Sequence, residues 1–354
     1  MTKWKILVSA AALTAVTSTL ANAETIKLTV VAGQPPVHVI VKGLKEAFIP
    51  AVNKALAEAG GKDKIEWTES YGGSLAKFTE VLETVEEGIA HVGAVTFAFE
   101  EAKLPLEQYT FLIPFGPSDN KTMAAISRRV RAKIPEMDKA WDKYNQVLLG
   151  VGAESPWHIF TKFPLNKVED LKGRKIGSTG SSAHLLRGTG AVIVNSNMFE
   201  AYNNIKNGLY DGYPTSVGLS FVYKIFEAAP HLTKVNFGAR IGAGITVNKQ
   251  VWDKASDDLK NAFRKGTEAW IKYYENAEVG REANFLKIMG NKGTKISEFS
   301  PQQRKAWADA MPNVPKEWAA DLDKAGAPGT RLLQAYMDEL RASGVEVPRQ
   351  WDKN

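Results

Sequence analysis

The 354-residue chain contains no cysteine. That excludes disulfide staples, thiolate metal sites and a cysteine nucleophile. Histidine is scarce, with five residues at positions 38, 91, 158, 184 and 231, and no two of them share a metal-ligand spacing. Neither sign of charge dominates: 45 Lys and Arg stand against 39 Asp and Glu, for a formal net charge of +6. No basic block is long enough to mark a nucleic-acid surface, so the small surplus leaves only a weak bias toward anionic ligands. Beyond the N-terminus no apolar run approaches the roughly 20 residues of a spanning helix. The G-x-S-x-G elbow, the H-E-x-x-H zinc motif, the P-loop and the Rossmann glycine fingerprint are all missing, so no cofactor and no catalytic group is expected.

What is present starts with a leader. Residues 1–23 read MTKWKILVSAAALTAVTSTLANA: two lysines, an apolar stretch interrupted by Ser and Thr, then Ala21-Asn22-Ala23. A charged start, a short apolar core and a small-residue site predict export to the periplasm, with cleavage after Ala23. The roughly 330 residues that follow are enough for two packed cores, and without disulfides those cores must hold the fold.

Strand and helix signals then alternate. IKLTVVA (26–32), KIEWTES, HVGAVTF, VLLGVGAE and HIFTK have strand length and strand composition, with helical stretches to about Ala59 and from about Leu75 to Glu87. RKIG and AVIVN flank a helix expected from about Ser181, and MFEAYNNIKNG reads as a helix stopped by Gly208. A long helical pattern runs from Ser256, a potential N-cap followed by Asp257 and Asp258, to near Met289. Two more helices are expected, one opened by Ser300-Pro301 and one over 329–342. The alternation predicts an α/β protein of two units, with a ligand crevice at the strand C-termini.

The loops expected at that crevice are GQPPVH with His38, ESYGGS with Tyr71, VTFAFE with Phe97 and Phe99, GAESPWH with Trp157 and His158, GSTGSS (177–182) and DGYPTS with Tyr213 and Thr215. They carry aromatics and hydroxyls but few charges, which suits a binding wall against which a flat or apolar ligand stacks. Each aromatic there is equally compatible with core packing. The stretch GRKIGSTGSSAHLLRGTG (173–190) is the most glycine-rich of these segments. It lies between a strand and a helix start, where free N–H groups favour an anion, or else a tight turn with a serine N-cap.

One segment carries a family likeness. PLNKVEDLKGRKIG…GTGAVIVNSNMFEAYNNIKNGLYDG resembles the solute-binding proteins of TRAP transporters in Pro164, Asp170, Leu171, Lys172, Gly173, Lys175, Gly190, Ala191, Glu200, Tyr202, Gly208, Asp211 and Gly212. Gly73, Leu75 and Gly88 upstream keep the family's register as well. The resemblance implies a two-lobe periplasmic binding-protein fold with a ligand cleft between the lobes and a long hinge-spanning helix. Lobe I would span 24–153 with about 243–280 returning to it, and lobe II 154–242 with about 281–354 packed on it. It implies capture of an organic acid without turnover, and delivery to TRAP membrane permease subunits.

The chain departs from the family where an arginine pairs with the ligand carboxylate. That position is Gly177 here, and a second arginine position corresponds to Trp157. Arginine's planar fork is hard to replace. The substitutions point to backbone donors of the 177–182 loop, with the hydroxyls of Ser178, Thr179 and Ser181, as the anion site. They also point to an aromatic or bulky monocarboxylate stacking on Trp157. A neutral or cationic ligand such as an amino alcohol stays open because the arginine is missing; an exported enzyme is the remaining alternative.

Overall fold

The computed structural model describes residues 25–60 and 64–353. The leader and its cleavage site lie outside the described residues. Among the described residues no helix is long and apolar enough to cross a membrane.

Two sheets organise the chain. The first takes β1 (Thr25–Ala32), β2 (Lys64–Tyr71), β3 (Val92–Thr96), β4 (Gln146–Glu154) and, later in the chain, β10 (Arg240–Asn248), in the order β2-β1-β3-β10-β4. Strands β1, β2 and β3 are parallel, joined by helical crossovers, whereas β10 runs antiparallel to both β3 and β4. The second sheet takes β5 (Trp157–Thr161), β8 (Gly212–Ser216), β9 (His231–Lys234) and β11 (Lys295–Glu298), ordered β11-β9-β5-β8. Strands β6 (Lys175–Ser178) and β7 (Val192–Asn195) form a separate parallel pair. The chain passes from the first sheet to the second through Ser155 and Pro156, between β4 and β5, and returns through β10.

All nine residues of β10 are buried, consistent with a run too apolar and too glycine-rich for a solvated face. The pairing of β10 with β4 shifts register between Ile241 and Ala243, so Gly242 is an extra residue in the strand. Such a bulge re-aims neighbouring side chains.

The long helix covers Asp257–Asn291, a length of about 50 Å at 1.5 Å per residue. The Ser256 hydroxyl accepts from the Leu259 N–H, and Asp257 and Asp258 lie in the first turn, where the helix dipole favours acids. Its first half packs into the core beneath the first sheet through Leu259, Ala262, Phe263, Trp270 and Tyr274. Its second half packs into another core through Met289, with Phe285 stacked on Phe221 at 4.0 Å between ring centroids. One rigid element therefore contacts both sheets' cores.

Two helices differ from the sequence expectation. The stretch from Leu75 to Glu87 is helical only over Val81–Glu86. Before it, Glu80 accepts from the Lys77 N–H (2.9 Å), and the Phe78 backbone lies against Gly33, so the chain runs across the sheet end instead of coiling. The helix expected from Ser181 is a single 3-10 segment, Gly180–Leu186.

Trp270 anchors the long helix to the first sheet. It is fully buried, donates from Nε1 to the Ile40 carbonyl (3.1 Å) and stacks on Tyr274 at 5.2 Å. Trp270→Ala is expected to lower stability by about 3–5 kcal/mol in urea unfolding. Trp270→Phe should lose less, chiefly the hydrogen bond, at about 1–2 kcal/mol. Equal losses for the two variants would place the anchoring in the indole N–H alone.

Candidate functional site

A cavity of about 140 Å³ lies where the ends of β3, β4 and β10 face the loops of the second sheet. Its walls are mainly aromatic: Phe78, Phe99, Phe111, Trp157, Phe199, Tyr223 and Tyr274. An apolar cavity of about 150 Å³ in another protein holds one benzene, so the space suits a single ring-sized body. Phe78 and Phe99 belong to the segments after β2 and β3, while Phe199 and Tyr223 belong to the helical segments around the second sheet. Phe78 meets Phe99 at 5.7 Å and Phe199 at 5.1 Å, and Phe199 meets Tyr223 at 5.3 Å. The Phe78–Phe199 pair closes the cavity across the cleft.

Polar groups enter the cavity wall at defined points. His38 caps the helix that follows it, its Nδ1 accepting from the Ile40 N–H (3.3 Å). Burial, with Arg281 nearby, lowers its pKa to about 4. At neutral pH the ring is therefore uncharged, and with Nδ1 accepting, the proton sits on Nε2 as a donor. Gln34 donates from Nε2 to the Thr96 hydroxyl (2.6 Å), and its Oε1 is buried with no partner among the described residues.

Glu154 is the cavity's carboxyl group. Its Oε1 accepts from Trp157 Nε1–H at 3.1 Å. Burial, reinforced by the nearby Glu278 carboxylate and opposed by Arg240, raises its pKa to about 7. A second cavity of about 40 Å³ lies on its far side, toward Tyr274, Glu278 and Arg281. Burial also raises the pKa of Glu278. Gly242 is required at this corner, because a Cβ there would lie 2.9 Å from the Glu154 carboxyl oxygen.

Of the residues singled out from the sequence, His38, Trp157 and Thr179 stand in the cavity wall. Thr215 stands one layer behind, its hydroxyl donating to the sulfur of Met198 (3.5 Å), which itself lines the wall. Phe97, His158 and Tyr213 lie in cores. Phe97 packs on Trp141 at 5.9 Å, His158 Nδ1 accepts from the Asn236 N–H (3.2 Å), and the Tyr213 hydroxyl donates to the Ser196 carbonyl (3.2 Å). Burial holds His158 near a pKa of 3, uncharged at neutral pH. Tyr71, at the end of β2, is half-buried outside the cavity wall.

The glycine-rich loop does not have the geometry expected of an anion cradle. A Cβ at Gly177 would fall 2.4 Å from the Tyr210 ring, so its backbone approaches a side chain of its own sheet region and not the cavity. Ser178 is buried with its hydroxyl 2.7 Å from that of Ser182, whose Oγ in turn donates to the Thr179 carbonyl. The Ser181 side chain lies outside the described residues. Arg187, two turns on, pairs with Glu317 at 2.7 Å on the surface.

Sequence reasoning passed over Phe111, Phe199, Tyr223 and Glu154. Phe99 was visible in VTFAFE, where the 3-10 turn Phe97–Phe99 buries the first phenylalanine and delivers the second to the cavity. Phe199 sits in a stretch with a helical pattern, yet it is 44% exposed and turned toward Phe78. A large apolar residue with no place on the helix's buried face was the available signal.

Two outcomes follow for these residues. Gly177→Arg is expected to lower the melting temperature by several degrees through collision with Tyr210, without improving the binding of any small aliphatic acid; a stable variant that gains such binding would refute the packing assignment. Glu154 has a folded-state pKa above its unfolded value, so the folded state binds the extra proton between about pH 4.5 and 7. Its contribution to stability is favourable below that window and is lost as pH rises through it. Glu154→Gln, which keeps an acceptor for Trp157, should therefore stabilise the protein relative to wild type progressively more from pH 5 to 8. A difference in melting temperature that stays flat with pH would remove the assignment; Glu278, Arg240 and Tyr274 are the other ionisable groups facing this carboxyl.

The fold agrees with that of known proteins to which the chain is similar. The family described as "Bacterial extracellular solute-binding protein, family 7" (DctP) matches residues 35–321. The C4-dicarboxylate-binding periplasmic protein DctP of Rhodobacter capsulatus is 26% identical over 179 residues, 50% of this chain and 53% of that protein. The chain thus matches about half the length of this curated relative. Among solved structures, a TRAP periplasmic solute-binding protein of Desulfovibrio salexigens, an open complex, superposes with a TM-score of 0.77 at 19% identity, covering 91% of this chain and 98% of that one. DctP7 of Bordetella pertussis, an extracytoplasmic solute receptor binding pyroglutamic acid, gives 0.72 at 20% identity, covering 88% and 99%. The two-sheet architecture bridged by one long helix is the fold of these receptors, and the chain belongs to the family 7 bacterial extracellular solute-binding proteins.

Proposed function

We propose that the protein is the periplasmic receptor of a TRAP transporter, and that it captures a monocarboxylic acid with an apolar, ring-sized body for delivery to the membrane permease. The observation that carries this reading is the cavity of about 140 Å³ walled by seven Phe, Tyr and Trp rings drawn from both sides of a cleft. The volume admits one ring, and the faces of Trp157 and Phe199 suit stacking. Relatives described as binding C4-dicarboxylates and pyroglutamic acid support an acid as the ligand class. The lobes we assign are 24–153 with about 243–280, and 154–242 with about 281–354, except that the last helix, Gly329–Ala342, packs on the first, through Tyr336 on Tyr109 and through Glu339 on Arg129 of the helix Asn120–Lys133. The contact of Phe78 of the first with Phe199 of the second, at 5.1 Å, is the one that closure would make. No covalent change of the ligand belongs to this role.

One observation favours a second reading. Glu154 among aromatic faces is also a setting for a cation, because ring faces and a carboxylate both attract positive charge. A neutral or cationic ligand such as an amino alcohol would use that corner.

A thermal-shift panel of aromatic acids, aliphatic acids and amines separates the two. Aromatic or alicyclic monocarboxylates should raise the melting temperature, since a ligand at 100 times its dissociation constant adds about 2.7 kcal/mol to the folded state. Stabilisation by amines alone would select the second reading. With a stabilising acid in hand, Trp157→Ala and Phe199→Ala should each weaken binding by about 1–3 kcal/mol in isothermal titration. Wild-type affinity in both variants would remove the cavity from the function. The ligand recovered after hours of incubation should be unchanged in mass.

A further inference from the structure

Arg240, the first residue of β10, is 1% exposed, and its Nε, Nη1 and Nη2 have no hydrogen-bond partner among the described residues. A guanidinium cannot shed its charge at neutral pH: burial lowers the pKa of Arg240 only to about 10. The contrast with Arg131 is informative. That guanidinium, also largely buried, reaches Glu107 and lies 2.6 Å from Asp138. An isolated buried charge is among the least favourable arrangements a core can hold, and one left without an acceptor calls for a ligand or a functional role.

Its surroundings locate that role. The guanidinium lies over the Trp157 ring at 4.1 Å and the Phe111 ring at 5.1 Å, and both rings are walls of the aromatic cavity. Its partner across the β4–β10 ladder is Glu154, and two residues along its own strand is the bulged Gly242; both also line that cavity. Arg240 thus sits behind the wall at the Trp157–Glu154 end. Glu154, across the strand ladder, is outside ion-pair distance, and burial with Glu278 raises its pKa to about 7, so at neutral pH it is only partly ionised. Tyr336 is the other ionisable group beside the guanidinium, and burial keeps its hydroxyl protonated. The positive charge at this end of the cavity has no direct partner and is only partly compensated.

We propose that Arg240 is the specificity-determining cation of the cavity: it selects a ligand carboxylate at the Trp157–Glu154 end, doing from β10 what no arginine at 177 or 157 does in this chain. The inference rests on the receptor reading above and deepens it. The selection is electrostatic and acts through the wall: the low dielectric of the cavity extends the pull of the charge past the edge of the indole. Protonated Glu154 can at the same time donate a hydrogen bond to the bound carboxylate instead of repelling it.

The test uses matched pairs of probes, benzoate with benzamide, phenylacetate with phenylacetamide, and cyclohexanecarboxylate with its amide, titrated into wild type, Arg240→Met and Arg240→Lys. In wild type at least one acid should bind, at least tenfold more tightly than its amide. Arg240→Met should lose that acid by about 10–100-fold with the amide unchanged, and Arg240→Lys should recover part of the preference. In addition, ligand-free Arg240→Met should melt higher than wild type, because an apolar side chain of similar length replaces an unpaired charge. A lower melting temperature for the Met variant would mark Arg240 as a structural partner of Glu154 and overturn the proposal. So would equal binding of acid and amide in wild type, an outcome that leaves the receptor reading standing. Failure of every acid and every amide to bind wild type would overturn both.

Discussion

The close seating of the long helix on the first sheet is the contact on which the rest of the molecule depends. Strand β4 presents Gly150 and Gly152 to that helix: a Cβ at either would come within 2.9 Å of Ile271 and Thr267 or within 2.7 Å of Tyr274. With no side chain in the way, Trp270 and Tyr274 pack directly against the strand at Gly152, and a missing Cβ is what permits so short a distance between helix and sheet. The same β4 ends in Glu154, and its partner β10 begins with Arg240. Helix seating, strand register and the ionic corner of the cavity are consequences of one pairing. The bulge at Gly242 sits at the cavity end of that pairing, where it turns the strand and clears room for the Glu154 carboxyl.

The cavity combines two features that pull against each other. Seven Phe, Tyr and Trp rings make its wall largely apolar, which raises the cost of any charge near it. Yet Arg240, Glu154 and Glu278 all lie at one end. The molecule moderates the conflict by raising the pKa of both acids through burial and by placing the guanidinium over the Trp157 and Phe111 rings, where the quadrupole of each ring offsets part of the lost hydration. His38 is uncharged for the same reason, its pKa lowered by burial. Polarity in this site is concentrated at one end of an otherwise apolar wall.

Much of the fold was legible because the periodic signals are local. The strands from 26 to 32 and from 146 to 161, the long helix, and the terminal helices at 301–310 and 329–342 follow from alternation, helical period and caps. The site was less legible. Trp157 and His38 could be reached from strand ends, but Phe97 and Phe99 are two residues apart in one loop and only the backbone turn decides which is core. Gly177 was a fair candidate for close approach, and the approach exists, to Tyr210. What a sequence does not state is which neighbour a glycine approaches. Arg240 in GARIGAGITV reads as the polar edge of an apolar strand. Its burial depends on Phe111 and Trp157, which arrive from more than eighty residues away in the chain, and no window of local pattern contains them.

Closure energetics follow from the same geometry. One ring pair, Phe78 with Phe199, crosses the cleft at the mouth of the cavity, and such a pair contributes about 0.5–1.5 kcal/mol beyond its buried area. That bonus alone is about a tenfold bias between closed and open forms, before the area the pair buries is counted, since 1.4 kcal/mol corresponds to a factor of ten. A ligand that touches Trp157 on one side and Phe199 on the other adds its own differential affinity for the closed form, and only that difference moves the population. A weak aromatic latch beside a strong, unpaired charge therefore divides the labour: the rings limit the size of what can be enclosed, and the charge decides whether enclosing it is favourable.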